Sequence, residues 1–234
     1  MSRNPRNCVL LLLLSAGNPQ GARAACAEPS ETVRPTITVR VYDYAALPQF
    51  TANRAHVEAS RIFAEAGVPT EWAVCPVSAQ TMPGDRKCHV RLSATDIRLN
   101  ILTAEMARKI SKNDSEFGAA FLLPNGFGNF AAIFSHRVRE FATRQGASEA
   151  LLLGHFIAHE IGHLLLGVNS HSQSGLMRVP WDRTQMERAY LGTLLFNKQE
   201  AERIQRHVVA RAMKSRPEPV TTLPECSSAD GGGR

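Results

Sequence analysis

Long apolar runs are scarce in this chain. One, Cys8 to Leu14, is too short to cross a bilayer, and no later stretch approaches membrane-spanning length. Stable membrane insertion is therefore not expected. A strong charge of one sign is also missing. The formal net charge is +6, and loss of a leader carrying Arg3, Arg6 and Arg23 would bring it to +3. A balance that mild does not call for nucleic acid as a partner. Internal repeats are absent. The close Cys-x-x-Cys spacing of a structural zinc site is absent too.

What is present begins with a leader. Arg3 and Arg6 precede the apolar run, and small residues follow at Ala22-Arg23-Ala24 and Ala25-Cys26-Ala27. Residues 1–24 therefore read as a secretory signal peptide, and the mature chain as secreted or periplasmic. Cleavage after Ala24 leaves Cys26, Cys75, Cys88 and Cys226, which would form disulfides outside the cytosol. Cys75 with Cys88 would close a short loop and Cys26 with Cys226 would tie the ends, although four cysteines allow three pairings. Residues 25–35 read as a linker and 217–234 as a disordered tail. Between them, 36–216 is long enough for one domain with its own core, expected as a monomer.

Within that domain, Thr36 to Tyr44 alternates apolar and polar residues, which predicts a strand. A helical pattern runs from Thr51 to Ala66, with Ala55, Ala59, Ile62, Phe63 and Ala66 inward and Gly67 as the stop. Further strands are predicted at Pro69–Cys75, Asp96–Leu102, Gly118–Leu123 and Phe130–Ser135. Arg137 to Arg144 fits either a strand end or a helical turn. A long helix, apolar almost all round, is predicted from Ser148 to Leu166 and stopped by Gly167. Residues 168–196 read as loops and turns. Asn197 to Glu200 has capping-box spacing before a last helix with Ile204, Val208, Val209 and Met213 inward.

The long helix carries His159-Glu160-Ile161-Gly162-His163. Three fixed positions recur by chance in a chain of this length at about the 1% level, on average residue usage. Burial sharpens the signal, because imidazoles and a carboxylate in an apolar helix cost several kcal/mol unless coordinated or paired. Two histidines four apart share one helix face and suit a zinc ion, with Glu160 as general base. Catalytic zinc usually takes three protein ligands, and after the turn residue Gly167 the next histidine is His171.

His159-Glu160-x-x-His163, Gly167, His171-Ser172 and Gly175-Leu176-Met177 together resemble the metzincin clan of zinc peptidases, and its matrixin branch in particular. The spacing is HExxHxxxGxxxH, two residues longer than the family's between the second and third histidines. The resemblance implies an α/β (α+β) fold: a twisted, mixed five-stranded sheet with the active-site helix, and a small C-terminal lobe with one helix. The lobes would be 36–167 and 168–216. It also implies Zn2+ held by His159, His163 and His171, Glu160 as catalytic base, and Met177 as a structural Met turn. Gly118, Ala119, Ala120, Phe121 and Leu122 would be the edge-strand rail along which a peptide or protein substrate lies. The activity implied is that of a secreted zinc endopeptidase. The alternatives are a catalytically silent, secreted zinc-binding interaction module, and a thermolysin-like site with Glu187 or Glu200 as third ligand.

Several other residues have two readings. His155, one turn before His159, is either a cleft residue or a core histidine bonded to a carbonyl. Trp181 either lines a specificity pocket or packs in the core. Tyr190 is a weaker candidate for an extra ligand. The basic residues Arg203, Arg206, Arg211, Lys214 and Arg216 read as a solvated helix face, as do His136, Arg137 and Arg139.

Overall fold

The computed structural model describes residues 35–78 and 86–214. The expected signal peptide and tail, with Cys26 and Cys226, lie outside those residues. The strands are β1 (Ile37–Asp43), β2 (Thr70–Cys75), β3 (Asp96–Leu102), β4 (Gly118–Phe121) and β5 (Phe130–Phe134). The helices are α1 (Gln49–Glu65), α2 (Ala104–Ile110), α3 (Ser135–Gln145), α4 (Glu149–Leu166), α5 (Arg183–Tyr190) and α6 (Lys198–Lys214). The fold class is α/β.

The strands form one mixed sheet in the order β2-β1-β3-β5-β4. All neighbours are parallel except β4, which runs antiparallel to β5 and pairs Gly118 with Ile133 and Phe121 with Phe130. Alternation along each strand sorts the faces. Ile37, Val39, Val41, Ile97, Leu99, Ile101, Ala131 and Ile133 join the main core with α1 and α4. Leu102, Ala132 and Phe134 face the other way, with Ala107 of α2. On the main-core side, α1 buries Ala55, Ala59, Ile62 and Phe63 as their spacing requires. Gly154 lets α4 come close to α1: a Cβ there would lie 2.8 Å from Ala55 O and 2.7 Å from Glu58 Cβ.

α4 starts at Ser148, whose side chain accepts from Leu151 N–H, and nearly all of its residues are buried. Its C-terminal carbonyls are met by guanidinium groups, the favourable partner for the negative end of a helix. Arg203 donates to Leu166 O (2.8 Å), while Arg211 donates to Leu164 O (2.9 Å) and Gly128 O (2.6 Å). Arg211 is buried, which corrects its reading as solvated. Leaving such a cation without acceptors would cost several kcal/mol, so those carbonyls are what make its burial tolerable. Arg137 is corrected in the same sense. It lies buried beneath the loop before β4 and donates to Ser111 O, Asn113 O and Glu116 O.

Other expectations also shift. The segment after Gly167 carries two helices instead of one. α5 falls inside the stretch read as loops, and its start is fixed by a capping box between Asp182 and Gln185. Eight residues are too few for periodicity to reveal it. α3 resolves the unplaced 137–144 stretch as helix, ended by Gly146 at φ 62°. In α6, Ile204 and Val208 are buried, but Val209 and Met213 face outward. Arg211, not Met213, takes the next inward turn. Cys75 and Cys88 are joined in a disulfide.

Candidate metal centre

Helical geometry sets the first two candidate ligand positions. His159 and His163 are one turn apart on α4, and their Nε2 atoms lie 3.1 Å from each other. Two imidazole nitrogens bound tetrahedrally at zinc distances would stand about 3.3 Å apart, so the spacing fits one shared ion. Their outer nitrogens are engaged. His159 Nδ1 bonds Leu176 O at 3.0 Å, and His163 Nδ1 bonds Ser170 Oγ at 2.6 Å. A carbonyl only accepts, so a neutral His159 carries its proton on Nδ1 and turns the Nε2 lone pair inward.

His171 closes the group. The ligand-capable nitrogens of His159, His163 and His171 all lie within 4.8 Å of one another, and no other such group occurs among the described residues. The loop between α4 and His171 contains two residues at positive φ. Gly167 sits at φ 85° and Asn169 at φ 55°, which turns the chain back so that His171 faces α4. Past His171 the chain tightens again: Ser172 N–H donates to Met177 O at 3.2 Å.

Met177 is fully buried. A Cβ on Gly162, between the two helix histidines, would come within 2.8 Å of both Met177 Sδ and the Phe196 ring. The helix thus rests directly on the 175–177 turn. That turn also supplies the Leu176 carbonyl that orients His159. Leu176 lies inside the Gly175-Leu176-Met177 motif and Ser170 beside His171, but the sequence alone assigns neither of them a role.

Burial sets the protonation states. His159 is held down to about 4 and His163 to about 3 by desolvation, and His171 is lowered by the same cause. All three are therefore neutral at physiological pH, the form that binds a metal. The Glu160 carboxyl is pushed up to about 8 by burial, with the charge of Glu116 adding to it. A cation in the triad would draw that value down. Glu160 makes no hydrogen bond to another described residue and opens onto a cleft of about 700 Å³.

The cleft runs between β4, α4 and residues 171–181. It is lined by the three histidines, Glu160, Gly118, Ala119, Ala120 and Leu122. Phe121, the other expected rail residue, packs on Phe130 instead, with ring centroids 4.7 Å apart. Phe117, Phe141, Phe156 and Trp181 form the aromatic wall. Phe117 stacks on Phe156 at 4.2 Å, and Phe156 on Trp181 at 4.6 Å. Trp181 is thus both cleft lining and packing. β4 is a sheet edge, so one side of its backbone has no partner strand among the described residues.

The remaining candidates fall elsewhere. His155 is a core histidine: it is fully buried, with Nδ1 2.9 Å from Leu151 O and Nε2 3.5 Å from Glu58 Oε1. Tyr190 is half exposed on α5 and does not line the cleft. Glu187 pairs with Arg183 on the surface of α5, at 3.0 Å. Glu200 caps α6 by accepting from Asn197 N–H at 2.8 Å. Neither glutamate belongs to the candidate metal group.

No family model and no curated protein matches the chain. Solved structures with some likeness include archaemetzincin from Methanopyrus kandleri, at 15% identity and TM-score 0.41, covering 75% of this chain and 97% of that one. Myroilysin also matches at 15% identity, with TM-score 0.30, over 71% of this chain and 65% of its own.

Proposed function

We propose that this chain is a zinc-dependent endopeptidase acting outside the cytosol. The observation that carries the reading is the meeting of two imidazoles on one buried helix with a third from the loop after it, all neutral and within 4.8 Å, and of a carboxylate with no hydrogen-bond partner among the described residues beside an open sheet edge. An all-nitrogen donor set suits zinc, and His159, His163 and His171 would hold it. Zinc there supplies a water acidified toward neutrality and polarisation of a carbonyl oxygen.

The chain's own residues do the rest. Glu160 takes the proton of the attacking water and returns it to the leaving amine. Gly118 to Leu122 offer edge-strand hydrogen bonds to an extended peptide, and so orient its carbonyl over the histidines. The aromatic wall accepts an apolar side chain beside the bond to be cut. Leu176 O and Ser170 Oγ fix the ring planes of His159 and His163. Met177 is a structural support under the helix.

Export is supported by the Cys75–Cys88 disulfide together with the leader-like sequence of residues 1–24. No helix of the described residues is long and apolar enough to cross a membrane. The reading takes the protein as a monomer acting on peptide or protein substrates.

The test is incubation of the mature protein with a mixed peptide library, with and without a zinc chelator, read by mass spectrometry. Internal cleavages that vanish with chelator and return with added zinc are expected. A library left intact while zinc stays bound would favour the silent binding module.

A further inference from the structure

We infer that Gly118 is a positioning residue for Glu160, and that the missing side chain at 118 sets where the proposed base sits. The catalytic consequence rests on the peptidase reading above, whereas the steric coupling does not. Strand alternation fixes the direction first. Ala119 packs with the minor cluster on the far face of the sheet, while Ala120 packs against the main core. Gly118 and Ala120 share a face, so a side chain at 118 would point at α4.

The space there is already taken. An ideal Cβ at 118 would lie 2.6 Å from Glu160 Cγ, 2.9 Å from Glu160 Cδ and 2.6 Å from Ala132 O. Ordinary carbon contacts begin near 3.5 Å, so both are collisions. The backbone of Gly118 is not in the left-handed region, so glycine is required here by room and not by φ. The two obstacles differ in kind. Ala132 O belongs to β5, the partner in the β4–β5 ladder, and cannot retreat without breaking that pairing. The Glu160 side chain can turn. Of the two obstacles only the carboxylate can yield, so a Cβ at 118 displaces it, while the clash with Ala132 O remains as a stability cost whatever residue stands at 160.

The experiment is a double-mutant cycle on the full mature protein with Gly118→Ala, Glu160→Ala and the pair, measuring thermal midpoint, zinc content and steady-state hydrolysis. Gly118→Ala is expected to keep one zinc and lose about 100-fold in kcat, the scale of an ångström's misplacement. In the Glu160→Ala background it should lower kcat no further, and its cost in thermal midpoint should shrink, because Cγ and Cδ are gone. If Gly118→Ala alone does not fold but the pair does, the coupling is upheld. Wild-type kcat in Gly118→Ala, strictly additive thermal costs, or a pair that folds no better than Gly118→Ala would overturn it. Should the wild type cleave nothing, the peptidase reading fails, and the thermal cycle still decides the contact.

Discussion

Replacing Glu160 with alanine is expected to lower peptide hydrolysis by about 10²–10⁴-fold, the usual contribution of a positioned general base. Zinc content should not change, because Glu160 contributes no atom to the three-imidazole group. KM should move little, since the β4 edge and the aromatic wall are untouched. Nor should the fold suffer. The Glu160 carboxyl is buried without a hydrogen-bond partner among the described residues and is pushed up to about 8, so its removal relieves a desolvation cost. A rate equal to wild type in the metal-loaded variant would take the base out of the mechanism.

His171→Ala is expected to have an effect of similar size on metal binding. His171 sits on the exposed side of the triad and is reached through the loop that follows α4. With two imidazoles left, zinc affinity should fall by more than the roughly 10–100-fold that loss of an outer hydrogen-bond partner costs. Glu200→Gln and Glu187→Gln are the controls, and both should keep one zinc. Measured affinities in the opposite order, with Glu200→Gln losing metal and His171→Ala keeping it, would replace the third histidine by a carboxylate. The geometry disfavours that outcome, since Glu200 is committed to the N-terminus of α6.

Much of the site was legible in the sequence because it is written in local spacing. His159 and His163 are one turn apart on a helix whose apolar character marks it as buried. Gly167 announces the end of that helix, and His171 is the next histidine. The strands were legible for a similar reason, as period-2 runs bounded by turn residues. Short helices were not. α2 and α5 have seven and eight residues, and their starts are marked by caps at Thr103 and Asp182 more than by periodicity.

What could not be read locally is tertiary. Arg211 looks like part of a basic helix face until Leu164 O and Gly128 O appear as its acceptors. Arg137 looks solvated until the 111–116 loop folds over it. Gly118 reads as one more small residue in a strand, and only the approach of α4 shows that Glu160 occupies the place of its missing side chain. Gly162 has the same character: its need for no side chain comes from Met177 and Phe196, fifteen and more residues away in sequence.

The most direct measurement of the central claim is the rate of peptide hydrolysis as zinc is titrated into metal-depleted mature protein. The account predicts no hydrolysis at the start. The rate should rise in proportion to bound zinc and level off at one equivalent per chain. One tightly bound equivalent with no cleavage at any point would contradict it, and so would hydrolysis that is already complete before zinc is added.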